Sequence, residues 1–433
     1  MQRVIVLGGG IAGLAAARKA REGGAHVVLI EKNPTVGGLT RSIVVDGWVF
    51  DYAGHFLHLS RVTHPTHLGN GNHGTWKAIF RKAGCWVAGR MIDAPFQYHI
   101  RDLPEPVRSE CMDDLRTALD STQNFQPETG ESLLSFFQRT FGRGITRYFL
   151  LPYNQKLLAC DISDFPAHRL NRFFPFPDPV ALRRSLDTKT DYPTYNALFW
   201  YPEHGGIEQL VRQLPFSDVL YAPCDGIDVT QRTLIAEGTE LSWDALVSTL
   251  PLPDLLHLGP TQWQNDASRL AASGVAVLQL GVLGPPPEIL RGWHWIYVAD
   301  PTLPFFRVGV YSNISAKLAP RGCHSLYVET GFALSSPPDW AFLTPRILHA
   351  LEDAGFVDPT RIEILLRHTL VPAYVHFDSR YDRLVPFWRQ ELKNQGIFLA
   401  GRYGTWDYMG MEDAIFQGEE AAAQAVAYKC NIS

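Results

Sequence analysis

The chain has 433 residues, 46% hydrophobic and 19% charged, with 39 Lys and Arg against 44 Asp and Glu for a formal charge of −5. This length accommodates two or three packed layers or domains, and the composition excludes a disordered or fibrous chain. The mild negative charge contains no basic block and argues against a nucleic-acid partner, and no apolar run reaches the ~18 residues of a membrane span. The six cysteines, Cys85, Cys111, Cys160, Cys224, Cys323 and Cys430, form no CxxC pair. Reduced thiols, a cytoplasmic setting and no metal site are therefore expected.

The first residues read as an apolar strand, a glycine-rich turn at Gly8, Gly9 and Gly10, and a helix from Ile11. A second strand at 26–30 ends in the carboxylate of Glu31. In a G-x-G-x-x-G turn between strand and helix, Gly8 makes the tight turn, Gly10 lets backbone approach a pyrophosphate, and Gly13 lets helix and strand pack closely. The helix N-terminus offers free N–H groups to phosphate, and Glu31 suits a ribose hydroxyl. Dinucleotide binding is expected.

A second glycine pair, Gly37 and Gly38, lets the backbone pass beside the remainder of a long cofactor, and a strand pair is expected at 43–50. Residues 106–173 carry apolar helical periodicity, as in the run Leu133, Leu134, Phe136, Phe137. Residues 275–310 and 325–332 hold β-branched and aromatic runs typical of strands. The segment 241–251 reads as an apolar strand closing on a proline, and 396–404 as a strand entering a glycine turn. A helix over 411–428 could aim its N–H groups at an isoalloxazine oxygen, which selects FAD. The expected architecture is α/β: a discontinuous Rossmann-like FAD-binding domain (1–60, 201–255 and 395–433), a helical insertion (105–200) and a sheet-rich substrate domain (61–104 and 256–394).

Several segments resemble the UDP-galactopyranose mutases, flavoenzymes that interconvert the pyranose and furanose rings of a nucleotide sugar. Gly54-His55-Phe-Leu-His58 is similar to a Gly-x-His-Ile-Phe-His stretch of bacterial members, beside their flavin. Ala94-Pro-Phe96-Gln97 is similar to a Tyr-Pro-Phe-Gln segment of fungal members, and the run from Phe149 to Ala159 to their Arg-Pro-Tyr-Asn-Phe-Lys-Val-Trp-Ala. The run from Leu303 through Arg307 to Ser315 resembles their Cys-Pro-Phe-Tyr-Arg-Ala-Thr-Ile-Phe-Ser-Asn-Tyr-Ser. The segment from Gly401 through Arg402 to Asp413 resembles a bacterial Gly-Arg-Leu-Gly-Thr-Tyr-Arg-Tyr-x-Asp-Met-Asp.

The resemblance implies ring contraction on reduced FAD without net redox change. In that family flavin N5 attacks the anomeric carbon, an iminium adduct opens the sugar, and the ring recloses through another hydroxyl. It implies NAD(P)H as the candidate external reductant, a nucleotide-sugar partner, and an oligomeric state left open, a homo-oligomer included. By resemblance, Arg307 and Arg172 hold the diphosphate, with Arg169 competing for the second role. Tyr297, Tyr374, Tyr408, Phe96 and Gln97 contact substrate. Gly38, Gly54, Gly401, Arg402 and Met411 join the nucleotide motif at the cofactor, and His55 sits near flavin N5, where it could assist proton traffic. Planar, permanently charged guanidinium groups suit a departing diphosphate.

The departures fall at the sugar. Ala94 stands for a fungal tyrosine, Asp407 for an arginine and Gly410 for an aspartate, while Glu412 stands near a position close to substrate. They point to a nucleotide sugar with another base or a deoxy, amino or keto sugar. The rival expectation is an FAD-dependent oxidase or desaturase of the protoporphyrinogen or amine oxidase type, which shares the first and last motifs.

Overall fold

The computed structural model describes residues 1–69, 74–169, 177–189 and 197–429. A five-stranded parallel sheet runs in the order Ile397–Leu399, Ala245–Ser248, Arg3–Leu7, His26–Glu31, Val219–Tyr221. Its first three pairings place Val6 beside Leu29 and Val247, and Val247 beside Phe398. These strands are continuous apolar runs because helices cover the sheet, so neither side can be polar. The helices Ile11–Glu22 and Met411–Ala427 pack together on one face. Gly418 permits this, since a Cβ there would overlap the carbonyl oxygen of Ala12.

The expected strand pair is Ser42–Val45 with Trp48–Asp51, and the helical part contains Val107–Ser121, Leu133–Ile145 and Leu151–Leu158. Ser132 caps the second of these, accepting from the Ser135 N–H at 3.2 Å. Its apolar stripe buries Phe136, Phe137 and Phe141 completely, each contributing roughly 1.5–3 kcal/mol of transfer free energy.

A mixed seven-stranded sheet follows the order Ile362–Val375, Ala272–Val282, His324–Ala333, Arg307–Val310, Trp295–Val298, Ala83–Val87, Arg90–Asp93. Three of its strands fall in the segments expected from sequence, and Ala272–Val282 begins just before the first of them. The long edge strand Ile362–Val375 was not expected. It exposes Glu363, Arg367, Thr369 and Val371 between partly buried residues and contains Pro372, a residue tolerated in a sheet chiefly at an edge. Another departure is Leu198–Pro202, which leaves the nucleotide sheet and pairs with Trp76–Phe80. Among the described residues no helix is long and apolar enough to cross a membrane.

The tightest junction lies at the first turn, where a Cβ on Gly13 would overlap the Gly8 carbonyl oxygen. Gly13→Ala should therefore displace helix from strand and destabilise the protein by about 2–3 kcal/mol, read as a shift in the denaturant midpoint. An unchanged midpoint would contradict this packing.

Candidate active site

The five-stranded sheet, the seven-stranded sheet and the helical part enclose one large cavity of ≈ 1110 Å³. At its nucleotide end, Gly8 adopts φ +95° and its N–H donates to the Ile30 carbonyl at 2.8 Å. No side chain caps the helix Ile11–Glu22 at Gly10, and a Cβ added to Gly10 would meet nothing within 4 Å. Gly10 thus borders open cavity at an uncapped helix N-terminus, which is space and charge for a phosphate. Gly38 passes so close that a Cβ there would lie 3.2 Å from the Gly10 Cα. Glu31 is held by the N–H groups of Gly9 at 2.7 Å and Asn33 at 2.8 Å, and still lines the cavity. The terminal helix brings Gly410, Met411 and Ala414 to the same space, and Gly401 lines it with φ +77°. These features fit a dinucleotide as long as FAD.

The loop carrying Gly54 and His55 is fixed from beneath. Asp51, fully buried, accepts from the Tyr201 hydroxyl at 2.6 Å, the Ser42 hydroxyl at 2.7 Å and the Ile207 N–H at 3.0 Å. Burial pushes its carboxyl up from 3.8 to about 6 against these hydrogen bonds. Gly54 rests on Tyr327, whose ring would collide with a Cβ. Downstream, Glu412 accepts from the N–H groups of Ser60, Arg61 and Val62 and from the Ser60 hydroxyl, at 2.7–3.1 Å.

In the seven-stranded sheet the register pairs Arg307 with both Tyr297 and Glu329 on neighbouring strands. Arg307 Nε donates to Glu329 in a nearly buried ion pair. Burial disfavours the guanidinium charge, but Glu329 outweighs it and the arginine's pKa moves further up. The Arg402 guanidinium lies 4.8 Å from the Tyr408 ring centre and 5.4 Å from that of Tyr374. Its Nη atoms donate to the Met409 and Ala373 carbonyls at 3.4 and 3.3 Å. Burial raises the pKa values of Tyr153, Tyr374 and Tyr408, so these phenols remain protonated donors. Burial, then Arg307 and Arg402, lowers His55 to about 4. The imidazole is therefore neutral at pH 7, and its buried Nδ1 has no partner among the described residues.

The cavity gathers Gly8, Gly10, Glu31, Gly38, Gly54, His55, Phe96, Gln97, Tyr297, Arg307, Tyr374, Gly401, Arg402, Tyr408 and Met411. Gly13 lies beneath the turn instead. Arg172 lies outside the described residues, whereas Arg169 lines the cavity while paired with Asp382. Two of the departures turn away from it: Asp407 is 3.3 Å from Arg389, and Glu412 grips the 60–62 loop. Helical geometry explains the correction at Glu412, because about 100° separates it from Met411. Ala94 and Gly410 do line the cavity.

Two cavity residues were missed. Glu329 is a single acid in an apolar strand, legible only once register sets it beside Arg307. Tyr153 lies within the run that resembles the fungal motif and ends a column of stacked rings, 5.4 Å from Phe149, which is 4.6 Å from Phe96.

An NAD(P)-binding Rossmann-like domain family matches residues 6–81. A reduced UDP-galactopyranose mutase superimposes with a TM-score of 0.90 at 26% identity, covering 100% of this chain and 97% of that one. A protein described as a protoporphyrinogen oxidase from Exiguobacterium has the same fold, with TM-score 0.73, 17% identity and 99% of each chain covered. The zeta-carotene-forming phytoene desaturase of Myxococcus xanthus is 22% identical over 406 residues, covering 80% of this chain and 75% of that protein. The likeness to UDP-galactopyranose mutase read from the sequence motifs thus extends over the whole chain as a three-dimensional match, within a wider group of Rossmann-type flavoproteins.

A Val side chain at Gly10 would fill the phosphate space, so Gly10→Val should purify without flavin; a variant that stays yellow would contradict the cradle. Asp51 supplies a pH test. Its folded pKa lies above its unfolded one, so its contribution is fully present below about pH 4 and falls by on the order of 3 kcal/mol as pH rises through about 6. The stability difference between the wild type and Asp51→Asn, from denaturant titrations across that range, should shrink accordingly and stay level above it.

Proposed function

We propose that this protein is an FAD-dependent nucleotide-sugar mutase that interconverts pyranose and furanose forms without net redox change. The whole-chain likeness to UDP-galactopyranose mutase supports this reading. The observation that carries it is the partly buried Arg307 guanidinium, held in the cavity wall by Glu329 with Tyr297 paired beside it. Such a wall suits a diphosphate: a fixed cation takes up charge as the leaving group departs, and phenol donors orient it without adding charge. The cradle of Gly8, Gly10, Glu31 and Gly38 would hold FAD, which in its reduced form would supply a nucleophilic nitrogen.

Each protein group then has a defined task. Arg307 holds the anionic end of the substrate. Tyr297, Tyr374 and Tyr408 orient the phosphates and sugar. Neutral His55 offers its unpartnered Nδ1 as a hydrogen-bonding group for a sugar hydroxyl, while burial beside two cations opposes full proton transfer to the ring. The enclosing aromatic side chains exclude water that would hydrolyse the sugar phosphate.

A second reading, an oxidase or desaturase, is favoured by the similarity to phytoene desaturase and by the apolar part of the cavity wall near Phe137 and Phe165. The two separate at the bench. The mutase reading expects ring-isomerised product from a panel of nucleotide sugars, only after dithionite or NAD(P)H reduction and with no oxygen consumed. Stoichiometric hydrogen peroxide with no isomerised sugar would overturn it.

Arg307→Ala should retain FAD yet lose roughly 2–4 kcal/mol of nucleotide binding, from removal of a charge-assisted contact. Titration of the yellow variant with a nucleoside diphosphate checks this, and unchanged affinity would remove Arg307 from the site.

A further inference from the structure

Lys156 is a largely buried cation with no role in the reading above. It lies on the helix Leu151–Leu158, and its Nζ donates to the carbonyl oxygens of Val298 at 3.0 Å and Asp300 at 2.8 Å. Val298 closes the strand Trp295–Val298, in which Tyr297 pairs with Arg307. The same helix directs Tyr153 and Asn154 toward the cavity. The Tyr153 ring stands edge-on to Tyr297 at 5.4 Å and to Phe306 at 6.3 Å.

The amine loses hydration on burial, offset by the two carbonyl oxygens it satisfies, which an apolar side chain would leave without this donor. Burial lowers the Lys156 pKa to about 7, with Asp300 opposing the shift. Deprotonation leaves two N–H donors for two carbonyls, so the tether survives in either form. The backbone around it is also closely seated. The Ser273 hydroxyl donates to the Leu157 carbonyl at 3.2 Å, and a Cβ on Gly331 would overlap the Lys156 carbonyl oxygen.

We propose that Lys156 is a positioning residue: its two hydrogen bonds lock the helix Leu151–Leu158 to the 298–300 turn, holding Tyr153 in register with Tyr297 and Arg307 around the bound nucleotide. Lys156 touches neither substrate nor cofactor and acts through Tyr153. The inference rests on the nucleotide-sugar reading.

The test uses FAD-loaded full-length protein, titrated with UDP, CDP, GDP and TDP by intrinsic fluorescence and melted in parallel. Lys156→Met should weaken binding of the preferred diphosphate about tenfold, keep its flavin, and hold its Tm within about 2 °C of wild type. Lys156→Arg, which regains donors for the two carbonyls, should recover most of the affinity. Wild-type affinity in Lys156→Met would overturn the proposal, as would a parallel fall in affinity and Tm that Lys156→Arg does not relieve. Failure of the wild type to bind any of the four diphosphates would instead overturn the nucleotide-sugar reading and this inference with it.

Discussion

Among the described glycines the tightest approach is that of Gly13 to the carbonyl of Gly8, where even a methyl group would overlap. It sets where the first helix begins relative to the strand before it, and so where that helix's uncapped N–H groups point. A second glycine contact, Gly418 on Ala12, brings the terminal helix alongside the first. Two helix N-termini then open toward one cavity, and their partial positive charges add there. Residues at opposite ends of the chain thus build one anion-accepting edge, which explains why the cofactor segments are so scattered in sequence.

The cavity wall around Arg307 works by a different balance. Glu329 cancels much of the Arg307 charge while fixing its direction, and Arg402 is packed among the rings of Tyr374 and Tyr408. A bare arginine cluster would hold any phosphate tightly and release it slowly. A paired arginine with uncharged phenol donors gives direction with less surplus charge. Burial, with the same cations adding to it, keeps His55 neutral.

The nucleotide half was legible because its signals are local. The strand, glycine turn, helix and Glu31 lie within the first thirty-one residues, and the strands Ala245–Ser248 and Ile397–Leu399 are short apolar runs with clear stops. The surroundings of Arg307 and Glu412 depend on register and helical rotation, which local pattern does not encode. Glu329 becomes a partner of Arg307 only when two strands pair, and Glu412 faces the 60–62 loop only because a helix turns it there. The edge strand Ile362–Val375 was hidden by its own exposed charges and proline, and Arg172 falls among residues the structure does not describe.

The grip of Glu412 on the backbone of Ser60, Arg61 and Val62 links positions far apart in the order of synthesis. An emerging chain can form the first strand, turn and helix early, but the neighbouring strand Ile397–Leu399 and the helix bearing Glu412 leave the ribosome late. The crevice gains its last wall only then. A chain ending before this helix would therefore lack the wall that Gly410, Met411 and Ala414 contribute to the cavity.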